Sequence, residues 1–355
     1  MFNHAKLAVL SVAERTGASR LIGYSGWRRR RLLILCYHGV SAHDEHEWSS
    51  LYITREMFRR RMQTLVQHHC NVLSLSEAIV RLREGTLPPR AVAITFDDGF
   101  HDFYSVAFPV LESFGFPVTL YLTTYYVDFN RPVFDPMLSY LLWKGRAAKT
   151  IDWPDVLLKP VVLNQAGRNR AAAEFQRFAT AQQLTAVEKD ELLSQLAARL
   201  DVDYEDLCRR RVLQLITPAE AKDLAARGAC LEYHTHRHRI YRSRERWFAD
   251  LNENRSRILS FTSAEPHHFC YTGGFYLPEH REFLEDYGVL SATTCQPGMC
   301  TAMTHPMLLP RLVDATPISD LEFRSWLLGT SGLLPRRRAE TTEMQLMEEE
   351  ELALL

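Results

Sequence analysis

Ala91-Val92-Ala93-Ile94-Thr95-Phe96-Asp97-Asp98-Gly99 is a short apolar run that ends abruptly in two carboxylates and a glycine. A continuous apolar stretch of this length reads as a strand buried on both faces, the kind a parallel sheet contains. Its acidic end then falls at the carboxyl edge, where parallel sheets collect ligand-binding residues. A second run, Ala229 to Tyr233, ends in His234-Thr235-His236-Arg237-His238. Both chemistry-bearing segments therefore belong to one rim, so residues distant in sequence can meet there.

The surrounding chain alternates strand and helix. Arg31 to Tyr37 reads as the first strand and runs into the turn-like His38-Gly39-Val40-Ser41. Thr54 to His69 reads as a helix capped by Thr54, and Ser76 to Glu84 as another ended by Gly85. Tyr104 to Phe114 is a helix closed by Gly115, and Pro117 to Leu122 a strand. Thr217-Pro218-Ala219-Glu220 opens a further helix. Helices at Arg244 to Ser260 and Glu279 to Tyr287 then alternate with strands at His268 to Tyr271, Ser291 to Thr294 and Leu308 to Val313. The pattern is α/β with a parallel sheet. From about 134 to 216 the texture changes to long helical patterns, including Ala171 to Thr180 and Thr185 to Leu200, which read as a helical insertion between two strands. The organisation expected is an N-terminal amphipathic and basic segment over 1–30, one domain over 31–330, and a tail over 331–355.

With 355 residues, 46% of them hydrophobic, the chain can bury a substantial core, and a formal net charge of -1 gives no sign of nucleic-acid binding. The runs Arg28 to Arg31 and Glu348 to Glu351 read as solvated ends. Seven cysteines without paired spacing argue against a disulfide framework and for a reducing compartment; Cys295 and Cys300 read as buried or loop thiols. Lys6 and Arg15 interrupt the apolar content of residues 1 to 26, which reads as an amphipathic helix and not as a secretory signal. With Trp27 and the arginines behind it, the segment suits peripheral membrane contact, so the expected location is cytoplasmic or at the inner-membrane surface.

Carboxylate and imidazole are the ligands that suit zinc and its first-row neighbours. Asp98, His234 and His238 make three protein ligands with an open position, the arrangement of a catalytic metal. The two histidines are four positions apart and share a face if the chain takes a helical turn after the strand. Asp97, next to the ligand, is placed to take a proton from water that the metal activates. Taken alone, Asp97-Asp98-Gly99 also reads as a polar turn, His236 as part of an exposed loop, and Thr235 as a hydrogen-bonding residue of the turn or substrate.

These residues carry a family resemblance. Thr95-Phe96-Asp97-Asp98-Gly99 and His234-Thr235-x-x-His238 resemble two motifs of the NodB-type polysaccharide deacetylases, which are metal-dependent carbohydrate esterases. Leu35-Cys36-Tyr37-His38-Gly39-Val40, Phe269-x-Tyr271-x-x-Gly274 and Leu309-Pro310-Arg311 resemble further segments of that family. The resemblance spans roughly residues 31 to 330 and implies a distorted (β/α) barrel of about seven strands that removes acetyl from an N-acetylated saccharide. It implies Asp97 as base and Asp98, His234 and His238 as ligands of a divalent metal, Zn2+ first and Co2+, Ni2+ or Fe2+ otherwise. An oxyanion is expected at backbone near Tyr271, Gly273 and Gly274, where glycine lets main chain approach the substrate. The chain departs from the family where Thr272 stands in place of a proline and where an arginine is missing from the third motif, a charge that Arg311 can supply from another strand. No Leu-x-x-His motif provides the usual general acid. His38 is the preferred substitute and His305 the second.

Two other readings compete with an N-deacetylase. One is a hydrolase of another amide or imide bond on the same scaffold, favoured by the altered third motif and the insertion. The other is a catalytically inactive sugar-binding module, against which the complete set of base and ligands counts.

Overall fold

The computed structural model describes residues 2–334 of the chain, so all but the start of the expected tail lies outside the described residues. Its main sheet contains β1 (Leu33–Tyr37), β2 (Asn71–Val72), β3 (Ala91–Phe96), β4 (Thr119–Leu122), β5 (Cys230–Tyr233), β6 (His268–Cys270), β7 (Ser291–Thr293) and β8 (Leu312–Val313). The order is β7-β6-β5-β4-β3-β1-β8, with β2 paired to β3 beside this path, and every pairing is parallel. Seven strands thus form the distorted barrel that the family resemblance implies, built on the parallel sheet expected from the alternation.

Every residue of β1 and β3 is buried, as strands covered on both faces require. Alternate residues serve different faces. Leu33, Leu35, Val92, Ile94, Leu120 and Leu122 join the large cluster under the helices. Ile34, Ala91, Ala93, Tyr121 and Cys270 join a smaller cluster against the helix Leu75–Glu84.

The segment expected to be a strand from Leu308 to Val313 is a seam instead. Leu309 forms a parallel bridge to Thr293 of β7, and two residues beyond Pro310 the chain pairs with β1 as β8. One short segment therefore touches both ends of the strand path, which is why it is regular for only two residues. The long helix expected at Tyr104 to Phe114 is also broken: Phe103–Ala107 is π-helical and Phe108–Ser113 α-helical, with Pro109 at the junction unable to donate a backbone hydrogen bond.

The insertion contains helices Phe134–Lys144, Gln165–Ala181, Ala186–Arg199 and Tyr204–Arg209, plus a two-stranded ribbon, Thr150–Ile151 with Val161–Val162. Its ends are stitched together: Pro132 bridges Gln214, and the Val133 amide donates to the Leu213 carbonyl. The same exit strand is tied to the loop after β3, since Phe100 bridges Leu215 and the Ile216 amide donates to Gly99 O. The helical insertion therefore leaves and returns beside Asp98.

The N-terminal segment folds as helices Phe2–Arg15, Ala18–Tyr24 and Gly26–Arg29. The reading of Arg28 to Arg31 as a solvated run needs correction. Arg28 is fully buried and donates to the carbonyls of Leu327, Arg31 and Ala91, while Arg31 lies over the Trp27 ring. Only Arg29 and Arg30 of the four are exposed.

Glu232 on β5 is buried and accepts from the amides of His267 (2.6 Å) and His268 (2.7 Å). Burial pushes its carboxyl up to about 7 from an ordinary 4.5. An acid raised in the fold holds a proton that the unfolded chain has released, so its contribution to stability falls as pH rises from 4.5 through about 7. Glu232→Gln keeps an acceptor without the charge. Urea midpoints measured between about pH 5 and about pH 8 should fall less for this variant than for the wild type.

Candidate active site

β3 and β5 end at the same rim, and the loops beyond them converge. His234 Nε2 and His238 Nε2 each stand 3.2 Å from Asp98 Oδ1. These three residues offer ligand atoms within 4.8 Å of one another. The geometry is reached through unusual backbone. Asp98 (φ 71°), Thr235 (φ 62°) and His238 (φ 53°) all adopt the left-handed region, at a cost of order 1–3 kcal/mol each. The histidine segment is therefore not the helical turn expected from its spacing. It is an irregular loop whose amides at His236 (2.5 Å) and Arg237 (3.2 Å) donate to the buried Asp250 carboxylate, and Thr235 Oγ1 accepts from the Arg239 amide.

The loop is also sewn to β4. His236 is half-buried, not exposed: its carbonyl accepts from the amides of Thr124 and Tyr125, and its Nδ1 pairs with Thr124 Oγ1. Asn254, fully buried, accepts from the His234 amide and donates to Leu122 O and Thr124 Oγ1.

The donor set fits a divalent cation. His234 Nδ1 lies 2.9 Å from the Cys270 carbonyl, a partner that only an N–H can satisfy. In neutral His234 the Nε2 lone pair then points at a carboxylate oxygen, an arrangement that a cation between them turns from repulsive to attractive. The open side is provided by His238, whose side chain is 42% exposed. Asp98 stays ionised: burial raises its carboxyl, but the two histidines beside it hold it well below the usual carboxylate range.

Asp97 is treated differently. Its Oδ1 and Oδ2 accept from Arg311 Nη1 and Nη2, both at 2.7 Å, and both side chains are buried. Arg311 also donates to Thr95 Oγ1 and the Thr294 carbonyl. Burial raises the Asp97 carboxyl, and the Arg311 charge with its two hydrogen bonds overrides that, leaving a carboxylate far below the ordinary range. The thiols of Cys270 (3.4 Å) and Cys36 (3.5 Å) donate to Asp97 Oδ2. Among the described residues two other donor groups, Cys36 with His38 and Asp97, and Asp97 with His234 and Cys270, also converge. Both include the carboxylate that Arg311 has already claimed.

His38 Nε2 stands 3.8 Å from Asp97 Oδ2, and its buried Nδ1 has no partner. His305 is not part of this group: it faces Glu285 and accepts from the Met307 amide. The expected oxyanion segment also changes. The Tyr271 amide donates to Thr293 O, and the Gly274 amide donates to Tyr271 O. Tyr271 itself is 1% exposed, so of the three residues only Gly273 keeps an uncommitted amide. Gly274 (φ 74°) is still required, because a Cβ there would come within 2.8 Å of the Cys295 Cβ.

Sequence reasoning missed Asp102, Asp250, Asn254 and the thiols of Cys36 and Cys270. Asp102 accepts from the Val40 amide at 2.8 Å and so anchors the turn that follows His38. Burial pushes its carboxyl up to about 8. A signal existed for two of them: Asp250 and Asn254 lie among Trp247, Leu251 and Ile258 on the buried side of helix Arg244–Leu259. Polar groups on an apolar face demand partners.

Removing Arg311 should expose the cost of the buried carboxylate. Arg311→Met leaves Asp97 unpaired, and denaturant unfolding should show a loss of about 3–5 kcal/mol.

The chain is similar to known proteins in sequence and in fold. Residues 84–292 match the family model described as polysaccharide deacetylase. A poly-beta-1,6-N-acetyl-D-glucosamine N-deacetylase of Staphylococcus epidermidis is 29% identical over 139 residues, which are 34% of this chain and 48% of that protein. The chain spans about half or less of the length of the first curated relatives it matches. Among solved structures, a Streptococcus pyogenes deacetylase, PplD, aligns with a TM-score of 0.56 at 14% identity, over 86% of this chain and 99% of that one. IcaB from Ammonifex degensii aligns with a TM-score of 0.55 at 18% identity, over 84% and 97% respectively. The structures share the fold, and the family model covers the Asp97-Asp98 and His234–His238 segments together: the chain belongs to the polysaccharide deacetylase family.

Proposed function

We propose that this protein is a metal-dependent hydrolase that removes N-acetyl groups from an amino sugar in a glycan or glycan precursor. The observation that carries the proposal is the convergence of Asp98, His234 and His238 beside a separately clamped Asp97. A divalent ion held by these three residues, Zn2+ by donor preference, supplies a polarised water and a polarised amide carbonyl. Asp97 takes the proton from the attacking water. Arg311 holds both Asp97 oxygens and so sets the direction of the carboxylate. His38, with Nε2 3.8 Å from Asp97 Oδ2, delivers a proton to the departing amine. Gly273 offers its amide to the developing oxyanion.

The test combines metal content with acetate release from chitin oligomers and poly-N-acetylglucosamine. Asp97→Asn should retain metal and lose turnover by about 10²–10⁴-fold, the range of general-base catalysis. His234→Ala should lose the metal. Metal uptake with hydrolysis of other amides or imides, but no acetate, would favour the alternative substrate class. Failure to bind metal after reconstitution would leave a sugar-binding module.

We further propose a seat at the inner-membrane surface through the N-terminal helices. Ala5, Ala8, Val9 and Val12 recur at helical spacing and are all exposed, as are Leu21 and Tyr24 on the next helix. Exposed Arg15, Arg20, Arg29 and Arg30 flank this apolar face. The combination suits an anionic lipid surface. The opposite face is tied down by buried Leu10 and by the pairs Glu14 with Arg324 and Lys6 with Glu322. Among the described residues no helix is long and apolar enough to cross a membrane. The protein should co-sediment with phosphatidylglycerol vesicles, and Val12→Glu with Leu21→Glu should weaken this at least about tenfold. No sedimentation of the wild type with these vesicles would overturn the seat.

A further inference from the structure

Asp98 and His238 also line a cavity of about 470 Å3 whose other walls come from the insertion and from the loops after β3, β4 and β5. Phe134, Tyr126 and Leu184 give it apolar sides. Such walls bury the body of a ligand, and the few polar groups among them set its identity. Those polar groups include three cations beside the carboxylates of Asp98 and Asp135. Arg237, Arg239 and Lys189 all line the cavity. Arg237 is committed, being paired with Glu253 at 2.6 Å and with Asp250 at 3.6 Å.

Among the described residues neither Arg239 nor Lys189 is in a carboxylate ion pair within 4.0 Å, and the Lys189 ammonium lies 5.4 Å over the Phe134 ring, at the edge of the same space. The one acidic neighbour in the wall besides Asp98 is Asp135, which accepts from Gln176 Nε2. Burial, with the charge of Arg239, holds the Lys189 ammonium below its ordinary value, although Asp135 acts in the other direction. The Asp135 carboxylate acts on both cations and offsets one of the two like charges, leaving the other for an entering anion, and the low local dielectric strengthens that attraction. A guanidinium and an ammonium together suit phosphate or carboxylate oxygens.

We propose that the cavity recognises an acetylated amino sugar bearing an anionic group, with Lys189 and Arg239 as the anion-binding pair. The saccharide body lies against Phe134 and Tyr126, and the anionic group lies between the two cations. A phosphate ester and a uronate carboxylate share this chemistry. The insertion thus supplies Lys189 as a specificity-determining residue. The inference deepens the deacetylase reading and rests on it only for the site's catalytic role.

The binding test uses the full chain stripped of metal, so that turnover does not enter and the anion cannot simply ligate the ion. Calorimetry compares neutral N-acetylglucosamine with N-acetylglucosamine 1-phosphate and with N-acetylglucosaminuronate. At least one anionic sugar should bind about tenfold or more tightly than the neutral one, and its identity names the source of the negative charge. Lys189→Gln and Arg239→Gln should each reduce that preference, and together they should abolish it. Equal affinity for all three sugars in the wild type would overturn the proposal. So would a preference that survives in a folded double variant, judged by circular dichroism. A catalytically inactive protein that kept the preference would sink the deacetylase reading and leave this inference standing.

Discussion

The bidentate pair between Asp97 and Arg311 is the interaction on which the site depends. Both groups are buried, and a buried carboxylate or guanidinium is tolerated only when paired and hydrogen-bonded. Arg311 occupies the seam where Leu309 meets β7 and Leu312 begins β8. Its reach to Asp97 therefore exists only once the barrel has closed. Closure of the sheet and alignment of the carboxylate are one structural event, and neither can be altered alone.

Two neighbouring aspartates acquire different chemistry from this arrangement. Asp97 follows the inward alternation of β3 and meets Arg311, while Asp98 takes a left-handed backbone and turns toward the histidines. A parallel strand without that reversal would send consecutive side chains to opposite faces. Local strain at Asp98, Thr235 and His238 thus gathers three donors without a regular secondary structure to hold them. The cost is offset by Asp250, Asn254 and the His236 carbonyl, which hydrogen-bond the surrounding loops.

Much of the fold is legible in sequence because fully covered parallel strands are continuous apolar runs with chemistry at their carboxyl ends. Ala91–Phe96 and Cys230–Tyr233 show this directly. The β2 pair Asn71–Val72 and the parallel ribbon of Gly39–Ser41 with Tyr52–Thr54 are too short to display a period. Leu308 to Val313 reads as one strand because apolarity does not say which neighbour each residue pairs with. The candidate site is legible as three ligand types, Asp98, His234 and His238, beside a second carboxylate, Asp97, and Arg311 as the charge absent from the third motif. Left-handed conformations at non-glycine residues leave no such mark. Nor does the commitment of the Tyr271 amide to Thr293 of β7, or of the Gly274 amide to the Tyr271 carbonyl in its own turn.

Because Pro132 bridges Gln214, the insertion is a closed lobe with a narrow neck, and its length is uncoupled from the barrel's register. Lengthening a closed loop costs entropy only logarithmically, so the lobe can be enlarged, shortened or exchanged while the strands keep their places. Natural variation and deliberate grafting would both have an easy handle here: exchange of the segment between Pro132 and Gln214 replaces a whole cavity wall while Asp97, Asp98, His234 and His238 stay on the barrel.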